Sequence, residues 1–64
     1  MELIKTFSNE ADGLAANIYE RVDEHYRYLV DFRDTDADES VSIRRYVDKA
    51  MAFKQAAEFV AKFL

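Results

Sequence analysis

Apolar side chains recur every three or four positions over the last part of the chain, which is the spacing of one helix face. Asp48 stands directly before this series, where a residue that caps a helix N-terminus is expected. Alanine, the strongest helix former, is frequent in the same stretch. The pattern therefore predicts a helix over residues 48–64, whose apolar stripe is formed by Ala50, Phe53, Ala57, Val60 and Leu64.

Three other segments are rich in β-branched and aromatic residues, or alternate apolar and polar side chains as a strand does. They span residues 2–7, 26–33 and 41–47. The acidic stretch at residues 34–39 has the composition of a turn. The last two predicted strands are therefore expected to form a hairpin across it.

Residues 15–22 fit both periods, because their apolar positions recur at helical spacing and also alternate with polar ones. Gly13 and Asn17 weaken a helix in this region. The polar segment 8–13, which holds the only glycine of the chain, either bends the chain or caps a helix. A further turn is expected at residues 23–25.

Two architectures are compatible with these elements. The favoured one is a single α+β domain, an antiparallel meander of three or four strands packed against one C-terminal helix. The alternative is an α-helical hairpin over residues 9–33 and 39–64, which the β-branched and aromatic content of residues 26–32 and 41–47 disfavours. The core predicted for the sheet consists of Ile18, Val22, Tyr28, Val30, Phe32, Val41, Ile43 and Val47 with Phe53, Ala57, Val60 and Leu64.

Composition narrows the classes of function. The chain has 64 residues, no cysteine and one histidine, His25. Thiolate zinc sites and multi-histidine metal sites are therefore excluded, and no cofactor is expected. Without a Gly-rich phosphate loop or a base beside a hydroxyl, the protein is not expected to be an enzyme. Because so small a domain buries only about 60% of its unfolded surface, a homo-oligomer such as a dimer is predicted.

The sequence also gives an expected location. No apolar run reaches the roughly 18 residues that a membrane span needs. The N-terminal residues lack the charged and then apolar form of a signal peptide. We therefore expect a cytoplasmic protein with no membrane partner.

The net charge of −4 is concentrated in one segment. Residues 31–39 contain five acidic residues and one basic residue, Arg33, so this segment accounts for the whole excess of negative charge. Its alternate aspartates resemble the start of an EF-hand loop, but Glu39 and Arg45 replace the glycine and glutamate of that loop, so no metal site is predicted. The segment is expected to be a solvated turn or an acidic knob that steers a basic partner, formed by Asp34, Asp36, Asp38 and Glu39.

One edge of the predicted helix forms the first candidate interface. The helix is apolar over more of its circumference than one sheet covers, and an exposed phenylalanine forfeits about 1.5–3 kcal/mol. Unless a curved sheet or the N-terminal segment covers it, this edge is expected to bind a second copy or an unidentified protein target. Its residues are Phe59, Phe63, Ala52 and Ala56.

The second candidate interface is the face of the sheet that points away from the helix. Aromatic rings interleaved with guanidinium groups suit single-stranded nucleic acid, and the same residue types are frequent in protein interfaces. The alternative is a solvated face whose arginines pair across strands. The net negative charge opposes phosphate binding, so nucleic acid is the less favoured partner. The residues of this surface are Tyr19, Arg21, Arg27, Arg33, Arg44 and Tyr46.

The order of these segments along the chain resembles a known group of proteins. A short first strand ends at residues 5–7, a tyrosine-rich strand holds Tyr26 and Tyr28, and residues 46–49 lead from an acidic hairpin into a helix rich in alanine and phenylalanine. This layout resembles small accessory proteins of large tailed phages, particularly phages of marine cyanobacteria. The resemblance covers most of the chain and implies a protein that binds and redirects a host protein. It contains no signature motif and assigns no functional residue.

The function predicted from the sequence is therefore that of a small non-enzymatic protein-binding module that modulates a host protein. Two alternatives remain open. One is a single-stranded nucleic-acid binder that uses the arginine and tyrosine surface. The other is an oligomerisation module built as a helical hairpin.

Overall fold

The computed structural model describes residues 1–21 and 25–61. These residues form a four-stranded antiparallel sheet with the strands in chain order, and one helix packs against it. The α+β class predicted from the sequence is confirmed, and the helical hairpin is wrong. The elements are β1 (Glu2–Asn9), a 3₁₀ turn (Glu10–Asp12), β2 (Leu14–Glu20), β3 (Tyr28–Asp34), β4 (Glu39–Tyr46) and α1 (Lys49–Ala61).

The core lies between α1 and the two central strands. Ile18 of β2 pairs with Val30 of β3, and both side chains are fully buried. The other buried members of this cluster are Ala16, Tyr28, Phe32, Ala52, Ala56 and Val60. The predicted core residues of β2 and β3 are thus confirmed, except that Val22 lies outside the described residues. Leu64 lies outside them as well.

The helix face that packs on the sheet overlaps the predicted one only in part. Val60 is buried as predicted and Phe53 is partly buried against the core. Ala52 and Ala56 are 0% exposed, whereas Ala50, predicted to face the sheet, is exposed. The buried row recurs every four residues and ends at Val60. Because alanine has almost no side chain, this row lets the helix backbone approach the central strands closely. Asp48 caps the helix as predicted, since its Oδ1 accepts a hydrogen bond from the Ala50 amide at 3.1 Å.

The two faces of β4 are inverted relative to the prediction. Val41, Ile43 and Val47 were expected in the core, but they are 59%, 52% and 73% exposed. The reason is the register with β3, in which Arg44 lies opposite the buried Val30. Residues that lie opposite each other on neighbouring strands share a face of the sheet, so the apolar residues of β4 point away from the helix.

A β-bulge in β4 accompanies this inversion. Phe32 lies opposite Ser42 and Arg33 lies opposite Ser40, so Val41 is the extra residue between them. Of the four strands, β4 also makes the fewest contacts with α1. The helix therefore covers this edge strand least, with Tyr46 packed against the core. Alternation in β4 could not indicate which side is buried.

The β1–β2 and β3–β4 turns lie side by side at one end of the sheet. Gly13 adopts the left-handed conformation with φ 67°, and its carbonyl accepts a hydrogen bond from the Thr35 amide at 2.9 Å. Asn9 joins the helix to the same end, because its side-chain amide donates to the Val60 carbonyl at 2.7 Å. The glycine thus bends the chain and also ends the 3₁₀ turn, as one reading of the sequence predicted.

Candidate binding face

The side of the sheet opposite α1 has no covering element among the described residues, and we call it the open face. Strand register shows which side chains share it, because residues paired across strands point to the same side. Its apolar row crosses three strands at Leu3, Tyr19 and Leu29. The two rows that follow towards the turns are Thr6, Asn17, Asp31 and Ile43, and then Ser8, Ala15, Arg33 and Ser40.

Large apolar side chains of the open face are in contact with solvent. Leu3 is 50% exposed and Ile43 is 52% exposed, while Tyr19 and Leu29 between them are partly buried. Leu29 lies opposite Arg45, two residues beyond Ile43, so Ile43 continues the apolar row diagonally. Val41, at the bulge beside these residues, is 59% exposed. Together they form a band across the whole sheet.

Five polar side chains of the open face are hydrogen-bonded to one another. Thr6 donates to Asn17 Oδ1 at 2.9 Å. The carboxylate of Asp31 accepts from Ser40 Oγ at 2.6 Å and from Arg33 Nη1 at 3.1 Å. Covering a polar group that already has its partner costs less free energy than covering one that loses water. The face can therefore be buried against another surface at a low desolvation cost.

Arg33 is held in place by acidic neighbours. The hydrogen bond from its guanidinium to Asp31 raises the pKa of Arg33 above its ordinary value, and the charges of Asp31 and Asp38 act in the same direction. A second nitrogen lies 3.5 Å from Asp38. Because these carboxylates already surround it, Arg33 is poorly placed to bind a phosphate.

The end of the sheet that holds the two turns is acidic. The predicted knob of Asp34, Asp36, Asp38 and Glu39 lies there, and Glu10 and Asp12 of the neighbouring turn add to it. Asp34 has a local structural role, because its Oδ1 accepts from the amides of Asp36 at 3.0 Å and Ala37 at 3.2 Å. Within residues 1–21 and 25–61, no group of acidic or histidine side chains is arranged to hold a metal ion.

The opposite end of the sheet is rich in arginine. The guanidinium carbons of Arg21 and Arg45 each lie 5.3 Å from the centre of the Tyr26 ring. Arg21 also donates to the Tyr26 hydroxyl at 3.0 Å, and Arg27 pairs with Glu20 at 3.2 Å. A shallow groove of about 340 Å³ lies beside them, lined by Met1, Glu2, Glu20, Arg21 and Arg27. Arginines and glutamates thus lie together at this end, whereas the turn end is acidic.

The predicted arginine and tyrosine surface does not exist as one face. Arg44 and Tyr46 lie on the helix side of β4, because they are opposite Val30 and Tyr28. Burial raises the pKa of Tyr46 above its ordinary value of 10.0, against the opposing effect of the Arg44 charge. Tyr19 and Arg33 are on the open face, whereas Arg21 follows β2 and Arg27 precedes β3 at the end of the sheet opposite the two turns. The expectation that all six point away from the helix is therefore wrong.

The predicted apolar edge of the helix is largely covered by the sheet over its described residues. Ala52 and Ala56 are 0% exposed within the core. Phe59 packs on Phe32, with ring centres 4.9 Å apart, and is partly buried. Phe63 lies outside the described residues. The expectation of a free edge is wrong for Ala52 and Ala56, because the helix is rotated about its axis relative to the predicted orientation.

The exposed positions of the open face were missed in the sequence because β4 was assigned the wrong side. A usable signal was present in β3. Its residues Tyr28, Val30 and Phe32 alternate with Leu29, so one large apolar side chain had to lie on the face away from the helix. The strand register that brings Ile43 next to Leu29 could not be read from the sequence.

Comparisons of the chain with protein-family models, with curated proteins and with solved structures found no match. Within the described residues, no helix is both long and apolar enough to cross a membrane. The geometry of the open face is therefore the basis for a functional proposal.

Proposed function

We propose that this protein is a small non-enzymatic protein-binding module and that its binding surface is the open face. The observation that supports this most is that exposed apolar side chains and hydrogen-bonded polar side chains lie on the same surface. Leu3 and Ile43 are about half exposed, while the polar groups between them are already hydrogen-bonded to each other. Such a surface gains free energy from losing water around its apolar band and loses little at its polar row.

A protein fits the open face better than a nucleic acid does. Arg33 at the centre of the face is paired with Asp31 and Asp38, so its charge is already neutralised. The six carboxylates at the turn end would repel a polyanion that extends along the strands. Single-stranded nucleic acid is therefore the less favoured partner in this proposal.

Two further expectations from the sequence belong to this proposal. The cytoplasmic location and the resemblance to phage accessory proteins make a host protein the first class of partner to test. The acidic end, with Asp36 and Asp38 exposed to solvent, would speed the encounter with a basic partner surface.

Site-specific photo-crosslinking tests the proposal. A photoreactive phenylalanine analogue is placed at Ile43 on the open face and, as a matched control, at Lys54, which is exposed on the helix. The labelled proteins are irradiated in cell extract, and each adduct is identified by mass spectrometry. We expect protein adducts at position 43 and none of comparable yield at position 54.

The captured protein is then purified and its affinity is measured by fluorescence anisotropy. Leu29→Asp should weaken binding at least about tenfold, since it places a charge in the apolar band. Equal adduct yields at both positions, or unchanged affinity of Leu29→Asp, would contradict a binding role for the open face. Preferential binding of labelled single-stranded oligonucleotide to the same face would favour the nucleic-acid alternative.

A further inference from the structure

We infer that the free edge of β4 binds a second copy of this chain, by antiparallel pairing of the two β4 strands about Ile43. β4 is an edge strand, because it has a neighbour in the sheet on one side only. The pairing joins the two sheets into one continuous sheet and sets the two open faces side by side. The inference concerns the edge of the sheet and not its face, so it goes beyond the proposed function.

The backbone of β4 offers hydrogen bonds along its free edge. The carbonyl of Tyr46 accepts from the Arg27 amide at 3.2 Å, so Tyr46 turns its backbone groups towards β3. Successive residues of a strand turn their amide and carbonyl groups to opposite sides. Ile43 and Arg45 therefore turn theirs outwards, where no strand of the described chain pairs with them. Such an edge is a template for another strand.

The side chains along this edge gain from a neighbouring strand. Val41 and Ile43 are 59% and 52% exposed, and a cross-strand neighbour would remove part of that apolar surface from water. Antiparallel pairing sets both helices on the same side of the joined sheet. There is room for them, because α1 packs mainly on β2, two strands away from the junction, and least on β4.

The arginines and the bulge of β4 decide the register. Residues directly opposite each other share a face of the sheet, so a symmetric pairing is centred on one residue. A centre at Arg44 or Arg45 would set two guanidinium groups directly opposite each other. A centre at Ser42 would set Ser40 opposite Arg44, although the bulge leaves these two on different faces. Only a centre at Ile43 keeps residues 41–45 of both copies on matching faces.

The same register brings opposite charges together across the junction. Arg44 is on the helix side of β4, opposite Val30. Glu39, opposite Asp34, is the next helix-side residue after Ser42, because the bulge keeps the residues between them on the open face. Each Arg44 therefore has Ser42 of the second copy directly opposite and its Glu39 as a diagonal neighbour. The two Arg44 side chains are diagonal neighbours as well, and each has a glutamate on its other side.

Neither Glu39 nor Arg44 forms an ion pair within residues 1–21 and 25–61, and both are exposed. Charge beyond the central residues favours the same orientation, because antiparallel pairing sets residues 44–49 of one copy beside the turn at residues 34–39 of the other. The first segment holds three basic side chains and one acid, Asp48, which caps α1. The turn holds four acids and no base. A second copy thus supplies complementary charge at each end of the junction.

Charge reversal tests the inference by sedimentation equilibrium. We expect the wild-type chain to reach the dimer mass in the micromolar range. Glu39→Arg and Arg44→Glu should each raise the dimer dissociation constant at least about tenfold, because like charges then meet across the junction. An equimolar mixture of the two variants should regain the dimer, since each arginine then meets a glutamate. Lys54→Glu, at an exposed helix position, is the matched control and should leave the constant unchanged.

A single cysteine tests the register. The chain has no cysteine, so Ile43→Cys introduces one thiol in each copy. At the centre of the pairing the two thiols lie opposite each other, within reach of a disulfide, so mild oxidation should give a covalent dimer. Val47→Cys is the matched control, because position 47 is more exposed, at 73%, but lies far from the axis. It should give much less covalent dimer.

Circular dichroism of each variant verifies that the fold is kept. A wild-type monomer throughout the micromolar range, a mixture of the charge variants that stays monomeric, or equal crosslinking of Ile43→Cys and Val47→Cys overturns the inference. A monomer that still forms photo-adducts with another protein at position 43 would overturn it and leave the proposed function standing. A dimer that captures no other protein would support it and count against the proposed function.

Discussion

Single residues at the turn end of the sheet hold the two hairpins and the helix together. Asn9 donates to the Val60 carbonyl and also to Asp12 Oδ2 at 2.8 Å, so one side chain joins β1, the 3₁₀ turn and the last turn of α1. Gly13 brings the first turn against the second. A Cβ at this position would lie 2.7 Å from the Asp36 carboxyl carbon. Asn9 is required for its hydrogen bonds and Gly13 for its backbone conformation, and hydrophobicity plays no part at either position.

Gly13→Ala should destabilise the fold, because an alanine at φ 67° is strained and its Cβ meets the Asp36 side chain. The expected loss is about 1–2 kcal/mol of unfolding free energy, measured by urea denaturation. The double variant Gly13→Ala/Asp36→Ala removes the contact and leaves only the backbone strain. An unchanged urea midpoint for Gly13→Ala would contradict this account of the turn.

The helix is positioned by small side chains between two aromatic contacts. Ala52 and Ala56 are fully buried against the sheet. On either side, Phe53 meets Phe7 edge-on with ring centres 5.9 Å apart, and Phe59 packs on Phe32. Alanine sets the distance between the layers and the two rings fix the rotation of the helix.

Replacing one of the buried alanines tests this packing. Ala56→Leu should cost about 1–3 kcal/mol, because the added carbons have no room between the helix and β2. Ala50→Leu makes the same chemical change at an exposed helix position and should alter stability by less than about 0.5 kcal/mol. Urea denaturation of the two variants gives the comparison, and equal stabilities would argue against close helix–sheet contact at Ala56.

At the scale of the whole molecule, burial is concentrated on the two central strands and the helix above them. Val30 is 0% exposed, whereas Val47 just beyond β4 is 73% exposed. A domain of this size has an unfolding free energy of roughly 3–10 kcal/mol. The loss of one central side chain is therefore a large fraction of the total.

Two valine substitutions measure this asymmetry. Val30→Ala should cost about 2–3 kcal/mol, from lost apolar burial and the cavity left behind. Val47→Ala should cost less than about 0.5 kcal/mol, because its side chain is already in water. Thermal and urea unfolding report both, and similar losses would mean that β4 belongs to the core as the sequence alone suggested.

Local chemistry made much of the fold predictable. The strands over residues 2–7, 26–33 and 41–47 and the helix after Asp48 all follow from side-chain type and spacing, which act within a few residues. The candidate surfaces were less predictable. Ala56 was expected at an exposed edge of the helix and Ile43 in the core, and both expectations were wrong. Each required knowing which element lies opposite the residue.

The sequence by itself determined which segments become strand, turn and helix, because propensity, capping and alternation are properties of neighbouring residues. It also determined that the negative charge gathers around the β3–β4 turn. Only the tertiary structure decided which side of β4 faces the helix and which stripe of the helix faces the sheet. Register and interlayer packing join residues far apart in the chain, and both alternation and helical periodicity are unchanged when an element is turned over.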